Sequence, residues 1–561
     1  MKFNSLPLST LTSAMLLAIY GSAWAQTPPV PDAGQVLRDL QQAPALPPSQ
    51  SVPLQRIEES ADPSQKGEAR VLVKSITITG NQEIPSAQLQ PLVAGLVGAE
   101  QSLSQLSAAA RRITAYYRRQ GFAVARAYLP AQDITDGAVT ISVIEGRISS
   151  HKINNQSLLS DERAQAYLGQ VKDGDVIKSD QIDRGLLLLQ DTPGVSTSRA
   201  TLQPGASVGT SELLIEVNPA KPYSGNVVVD NYGSRYTGEY RVAGTFNLVS
   251  PLKIGDQLTV NALTSGRNLS FTRLAYQLPV GSDGLKVGAA YFDTRYKLGQ
   301  EFETLQAHGT ATAASVFAAY PFIRSQLRNL NGTVSVEDKQ LKDYVDATST
   351  FTPKKILVTT FGLSGNLQDA LGGGGITGLD LSVVMGNLSI NSPTALAIDA
   401  ASAQSNGSYT RVFYGANRLQ RFTDSTFLAV SLTGQVASKN LDSSEKFSLG
   451  GVNGVRAYPQ GEAGGDEGYR GTVELRHNVM ANVQATVFYD WGKVTINRNP
   501  FGAAASNSRQ LAGAGFGLNA SFAGVQLRSS LAWRTDGGMP TSIPASSAKR
   551  PTLWVQASMA F

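Results

Sequence analysis

From about residue 222 to residue 561, 340 positions in all, the chain repeats one pattern. Segments of roughly ten residues alternate apolar and polar side chains and are separated by Gly, Asn, Asp and Ser. In 481–490, Val483, Ala485, Val487 and Tyr489 fall on one face, and Gln484, Thr486, Phe488 and Asp490 on the other. In 471–479, Val473, Leu475, His477 and Val479 oppose Thr472, Glu474, Arg476 and Asn478. The segment 525–534 sets Val525, Leu527, Ser529, Leu531 and Trp533 against Gln526, Arg528, Ser530, Ala532 and Arg534. A period of two is that of a strand whose faces meet different surroundings. An apolar outside around a wet inside is what a membrane β-barrel requires, and Lys or Arg on its lipid face costs about 2–4 kcal/mol at mid-bilayer. Arg476 and Arg528 are therefore expected to face the lumen. At about 21 residues per strand and turn, 222–561 holds about 16 antiparallel strands, and even numbers are the rule for such barrels. The last segment alternates Leu553, Val555, Ala557, Met559 and Phe561, so Phe561 is expected to act as an assembly signal. The competing fold is a soluble β-sandwich or β-helix.

Composition agrees with the barrel. Only 16% of residues are charged and 54 of 561 are Gly, against about 25% and about 7% in ordinary soluble proteins. The absence of Cys removes disulfide frameworks, Cys-ligated metals and Cys nucleophiles. His151, His308 and His477 are far apart; His477 falls on the lipid face, His151 near a module edge and His308 in a loop. They offer no metal or triad site, so neither a cofactor nor an enzymatic activity is expected. The net charge of +5 is dispersed along the chain, which gives no stripe for nucleic acid.

Residues 1–25 read as an export signal: Lys2, an apolar or small stretch from Leu8 to Ala23, then Ala23-Trp24-Ala25 before Gln26. Residues 26–70 are rich in Pro, Gln and Ser. Within them Asp32 is placed to cap a helix over about 33–43, with Val36, Leu37 and Leu40 on one face, and a linker follows over 44–70. From Val71 the order is strand (71–79), helix (86–97), helix (104–120) and two strands (124–129, 139–144). In the second helix Leu106, Ala110, Ile113 and Tyr117 form a stripe, and Arg111, Arg112, Arg118 and Arg119 mostly lie outside it. The same order recurs in strand 151–154, helices 161–169 and 179–190, and strands 195–202 and 211–217. Two copies of a small α/β module, 71–147 and 148–221, suit an arm whose sheet edges can take an added strand.

Between Leu449 and Arg476 runs a Gly-rich segment containing Val455-Arg456-Ala457-Tyr458, followed by the strand Gly471–Val479. It resembles the sixth-loop motif of the Omp85 superfamily in the form found in two-partner secretion transporters, the TpsB family. Ala457 stands where the superfamily motif usually has Gly. A second motif, Phe-x-Asp-x-Gly, matches Phe488, Asp490 and Gly492. The resemblance spans nearly the whole mature chain. It implies a membrane β-barrel behind two N-terminal periplasmic POTRA-like domains, in the outer membrane of a Gram-negative bacterium.

The residues themselves say that a Gly-rich loop about 449–470 can fold back into the lumen. They also say that Arg456 needs a partner where solvation is incomplete, with Asp490 and Glu474 both available on the wall. The resemblance adds Asp490 as that partner, making the pair a conformational latch, and casts 33–43 as a plug helix. It further implies export of a secreted TpsA-type protein (adhesin, haemagglutinin, haemolysin or contact-dependent toxin) received by the POTRA-like modules. No nucleotide is involved, since no phosphate loop is present. The other partners implied are outer-membrane lipid and, during biogenesis, the barrel-assembly machinery. The alternative in the same superfamily is an insertase that assembles outer-membrane proteins.

Overall fold

Alternation of apolar and polar residues closes here into a barrel of sixteen antiparallel strands, from Tyr223–Asp230 to Thr552–Ala560. The computed structural model describes residues 30–40, 70–169, 171–502 and 506–561. The export signal expected at 1–25 and nearly all of the linker expected over 44–70 lie outside the described residues. Among those described, no helix is long and apolar enough to cross a membrane.

The first module packs the helix Leu103–Arg119 on a sheet in which Ser75–Thr79 lies parallel to Ala138–Ile144, with Arg126–Tyr128 on the other side. Leu106, Ala110, Ile113 and Tyr117 are buried, and the four arginines point to solvent. Ser102 and Gln105 form a capping box at its start, each side chain holding a main-chain N–H of the other. Two local expectations change. The strand expected over 71–79 breaks at Val73-Lys74 into Arg70–Leu72, which pairs with Glu100–Ser102, and Ser75–Thr79. The helix expected over 86–97 is one turn, Ser86–Leu89, followed by two 3-10 turns, because Pro91 and Gly95 interrupt it.

The second module repeats the plan with strands Arg147–Asn155, Thr210–Pro219 and Val195–Pro204 and helix Ser179–Gln190. Leu186 to Leu189 are all buried, which an ordinary amphipathic helix would not allow. The helix lies between its own sheet and the first periplasmic turns of the barrel. Leu188 reaches Gly284, where an added Cβ would come within 2.6 Å of it. Arg324 grips Asp191 through two bonds of 2.6 and 2.9 Å. Arg184 donates to the carbonyl of Pro321 at 3.1 Å, and Arg163 to that of Gly281 at 3.3 Å.

These contacts fix the 281–284 turn as periplasmic and the opposite rim as extracellular. Along the wall the inward and outward faces alternate as the pattern requires, with Arg476 and Arg528 among the inward residues. Closure is shortest at the seam, where only Gln556–Ala560 pairs with Asn226–Asp230; neighbouring strands such as Arg328–Val345 and Thr350–Asp369 pair along 18 residues. At the seam's end Phe561 exchanges main-chain hydrogen bonds with Gly225 at 3.0 and 3.2 Å. A Cβ at Gly225 would stand 2.5 Å from its ring.

Candidate functional site

The lumen holds two pieces of the chain itself. The first is the helix Ala33–Leu40, within the expected 33–43, started by Asp32, whose carboxylate accepts the N–H of Gln35 at 2.9 Å. Ala33, Val36 and Leu37 are buried and Leu40 is partly buried. They meet an apolar patch on the inner wall that includes Tyr296, Ala311, Leu341, Ile356 and Val358. Here the lumen face is greasy, contrary to the uniformly wet interior the alternation suggests. The reason is that this face is covered by the helix rather than by water.

The second piece is the inward loop. Its entry turn, Ser443–Glu445, is the seat of the helix. Ser443 donates its hydroxyl to Asp32, and its carbonyl accepts from Arg38 at 3.1 Å. Gly34 lies so close that an added Cβ would be 2.3 Å from Ser443 Oγ and 2.7 Å from the main-chain nitrogen of Ser444. Lys354 bridges Asp32 and Asp442, at 3.4 and 2.8 Å. Glu445, its side chain fully enclosed, takes Lys339 at 2.9 Å and Arg411 at 2.9 Å.

At the loop's inner end Arg456 meets the wall. Its Nε and Nη2 donate to the two oxygens of Asp490 at 2.9 and 2.8 Å, its main-chain N–H adds a third bond at 3.1 Å, and its Nη1 donates to Glu474 at 2.9 Å. Arg476 holds the other oxygen of Glu474 at 2.8 Å, and Thr472 donates to Asp490 at 2.9 Å. The guanidinium carbon lies 3.3 Å from the centroid of the Phe488 ring, a cation–π contact that adds to the ion pairs. The Asp490 side chain is 1% exposed and that of Arg456 13%, so this is a buried pair, for which losing one partner costs about 3–5 kcal/mol.

The rest of the motif fastens the main chain. Val455, Ala457 and Tyr458 are buried. The Tyr458 hydroxyl donates to the carbonyls of Asp536 and Gly538 at 2.7 and 2.9 Å, and the Trp554 ring N–H donates to the carbonyl of Arg456 at 2.8 Å. The methyl group of Ala457 fits because residue 513 is Gly: a Cβ there would be 2.5 Å from it. Gly492, the end of the second motif, is as tightly placed, since an added Cβ would sit 2.7 Å from Leu449. At the loop's exit Glu462 accepts from the main chain of Thr541 and Ser542, each at 2.9 Å, closing the loop against the last extracellular connection.

The sequence offers Asp490 and Glu474 as alternatives for Arg456, and the geometry has both. The Lys339–Glu445–Arg411 cluster has no signal in the sequence, and Asp32, expected only as a helix cap, also pairs with Lys354. Glu445 stands 106 positions from Lys339 and 34 from Arg411, so no local spacing signals them. Among the described residues no group of three or more His, Cys, Asp or Glu is placed to hold a metal ion.

A sixteen-strand barrel occupied by its own helix and inward loop, behind two periplasmic α/β modules, defines an outer-membrane transporter of the Omp85 superfamily. Residues 209–520 match the family described as haemolysin secretion/activation protein ShlB/FhaC/HecB, and 71–146 match the ShlB-type POTRA domain. The chain belongs to this family, the TpsB transporters of two-partner secretion. Among its relatives is the heme/hemopexin transporter protein HuxB of Haemophilus influenzae (strain 86-028NP), 30% identical over 532 residues, which are 92% of this chain and 93% of HuxB. Among solved structures, CdiB from Escherichia coli aligns over 98% of this chain and 97% of its own with a TM-score of 0.72 at 19% identity. BamA from Haemophilus ducreyi lacking POTRA domains 1–3 aligns over 88% and 100% with a TM-score of 0.51 at 13% identity. The last two show the shared fold.

Proposed function

We propose that this transporter exports one large TpsA-type protein (an adhesin, haemagglutinin, haemolysin or contact-dependent toxin) from periplasm to cell surface, unfolded and without nucleotide. The modules 71–147 and 148–221 receive the cargo, with their sheet edges as the natural place for an added strand. The helix Ala33–Leu40 is the plug that leaves during transport, and Arg456 with Asp490 and Glu474 is the latch that holds the loop. The observation that carries this reading is a lumen closed by two elements, each held through identifiable polar contacts to the wall rather than built into it. Phe561 is assigned to assembly by the barrel machinery, supported by its seat on Gly225 at the closing seam.

The test is secretion of the large exported protein encoded beside this chain, in a bacterial host with and without it. Appearance of that protein outside the cell only when the transporter is present supports the conduit. Independence, together with loss of other outer-membrane barrels on depletion, moves the chain to the insertase. Independence without a barrel defect refutes both.

A further inference from the structure

On the outward face of the barrel, the apolar band of strands Leu285–Lys297 to Gly375–Ile390 includes Tyr291, Val316, Val336, Leu357 and Met385, all exposed. Toward the extracellular rim the same face changes character within a few residues. Arg295 and Lys297 on one strand and Lys342 two strands away point outward, and between them lies the strand carrying His308 and Thr310. His308, expected in a loop, is the second residue of that strand, Ala307–Arg324. Register sets Arg295 opposite Thr310 and Thr310 opposite Lys342, with Lys297 opposite His308 one row higher. At about 4.8 Å between neighbouring strands, Arg295 and Lys342 stand about 10 Å apart, with Lys297 completing a triangle. Beside it three rings stack in a row: His308 on Tyr344 with centroids 4.9 Å apart, and Tyr344 on Phe351 at 4.6 Å.

Some of this charge is answered locally. Asp293 bonds Arg295 at 3.0 Å and Asp346 faces His308 at 3.3 Å. Arg295 nevertheless keeps its side chain 71% exposed. Lys297 and Lys342 have no acidic partner among the described residues. Three cations in one patch suit a headgroup that carries more than one phosphate, and the exposed ring of Phe351, held in place by its stack on Tyr344, suits the C–H edges of a sugar.

We infer that Arg295, Lys297 and Lys342, with His308, Tyr344 and Phe351 beside them, form a binding site for the phosphorylated sugar headgroup of a glycolipid in the outer leaflet. The site rests on the outer-membrane location of the barrel and not on the identity of the cargo. It would fix the lipid at the wall behind the plug helix, since the same strands present Tyr296, Ala311 and Leu341 to that helix on their inner face.

The test is native mass spectrometry of the full-length protein in detergent, with bisphosphorylated lipid A as probe and phosphatidylglycerol as comparator. One lipid A per chain is expected to be retained, in preference to phosphatidylglycerol. Combined Arg295→Gln, Lys297→Gln and Lys342→Gln substitution should weaken retention about a hundredfold, roughly fivefold per cation removed. Lys493→Gln, on the outward face of the far wall, should leave retention unchanged. Tyr344→Ala, which keeps every charge, should weaken it severalfold and serves if the triple variant fails to fold. Equal retention by the wild type and Tyr344→Ala or the triple variant would overturn the site. Equal retention of phosphatidylglycerol would reduce it to general charge attraction. Displacement by inorganic phosphate at about 10 mM would make it a free-anion site.

Discussion

Gly34 offers a direct test of the plug, because two effects of adding one methyl group oppose each other there. Ala is the better helix former by about 1 kcal/mol, so Gly34→Ala would favour the helix Ala33–Leu40 if nothing surrounded it. In the lumen the new Cβ would stand 2.3 Å from Ser443 Oγ, 2.7 Å from the nitrogen of Ser444 and 2.9 Å from Asp442 Oδ1. A main-chain nitrogen cannot turn away as a side-chain rotamer can. Overpacking of this kind costs about 1–3 kcal/mol, and the main-chain contact puts this case in the upper half of that range. Subtracting the gain in propensity leaves about 1–2 kcal/mol against the seated helix, which multiplies the ratio of open to closed pores by about 5 to 30. Single-channel recording in planar bilayers reads that ratio as open probability. An unchanged or lower open probability for Gly34→Ala, with normal barrel insertion, would refute the reasoning, since helix propensity would then outweigh the seat.

Further outcomes are expected elsewhere. Arg456→Lys keeps the charge but loses the forked grip on Asp490 and the reach to Glu474; partner secretion should fall strongly while outer-membrane abundance stays near normal, and undiminished secretion would remove the latch from the mechanism. Deleting Phe561 should lower outer-membrane abundance, as quantified in membrane fractions, because its hydrogen bonds to Gly225 close the seam. In the second module, burial and the neighbouring Asp180 push the carboxyl of Asp183 up to about 6. A raised carboxyl favours the protonated form in the folded state, so stability should rise as pH falls from 7 to about 5. Amide protection factors in Ser179–Gln190, which remove the intrinsic pH dependence of exchange, should rise over that window in the wild type and be flat in Asp183→Asn; equal slopes would contradict this assignment.

The parts legible in the sequence were those whose two faces meet different media. Strands such as Val483–Thr495 alternate cleanly because Val487 and Tyr489 face lipid while Thr486 and Asp490 face inward, Asp490 onto Arg456 of the loop. The pattern blurs at Ile356-Leu357-Val358, where Leu357 faces lipid and Ile356 and Val358 pack in the cluster around the helix Ala33–Leu40; a period of two does not survive when both sides are apolar. The motif around Arg456 was readable because its residues are contiguous. The charges that anchor the loop's entry turn were not, because Lys339, Arg411 and Glu445 come together only after three distant segments have joined the same wall. Leu186 to Leu189 gave a helix but not its second buried face, which exists only because the barrel turns lie against it.

The entry turn of the loop has a thermodynamic consequence. Ser443 and Asp442 hold the helix through Asp32 and Lys354, while Glu445, two residues on, holds the wall. One short turn therefore contributes to the free energy of both elements, and coupling of this kind is reciprocal. Whatever factor loosening the loop contributes to loss of the helix, withdrawing the helix contributes the same factor to loosening the loop. On the proposed function, a cargo that pulls on either end of this linkage acts on both elements at once, and need not carry a separate signal for each.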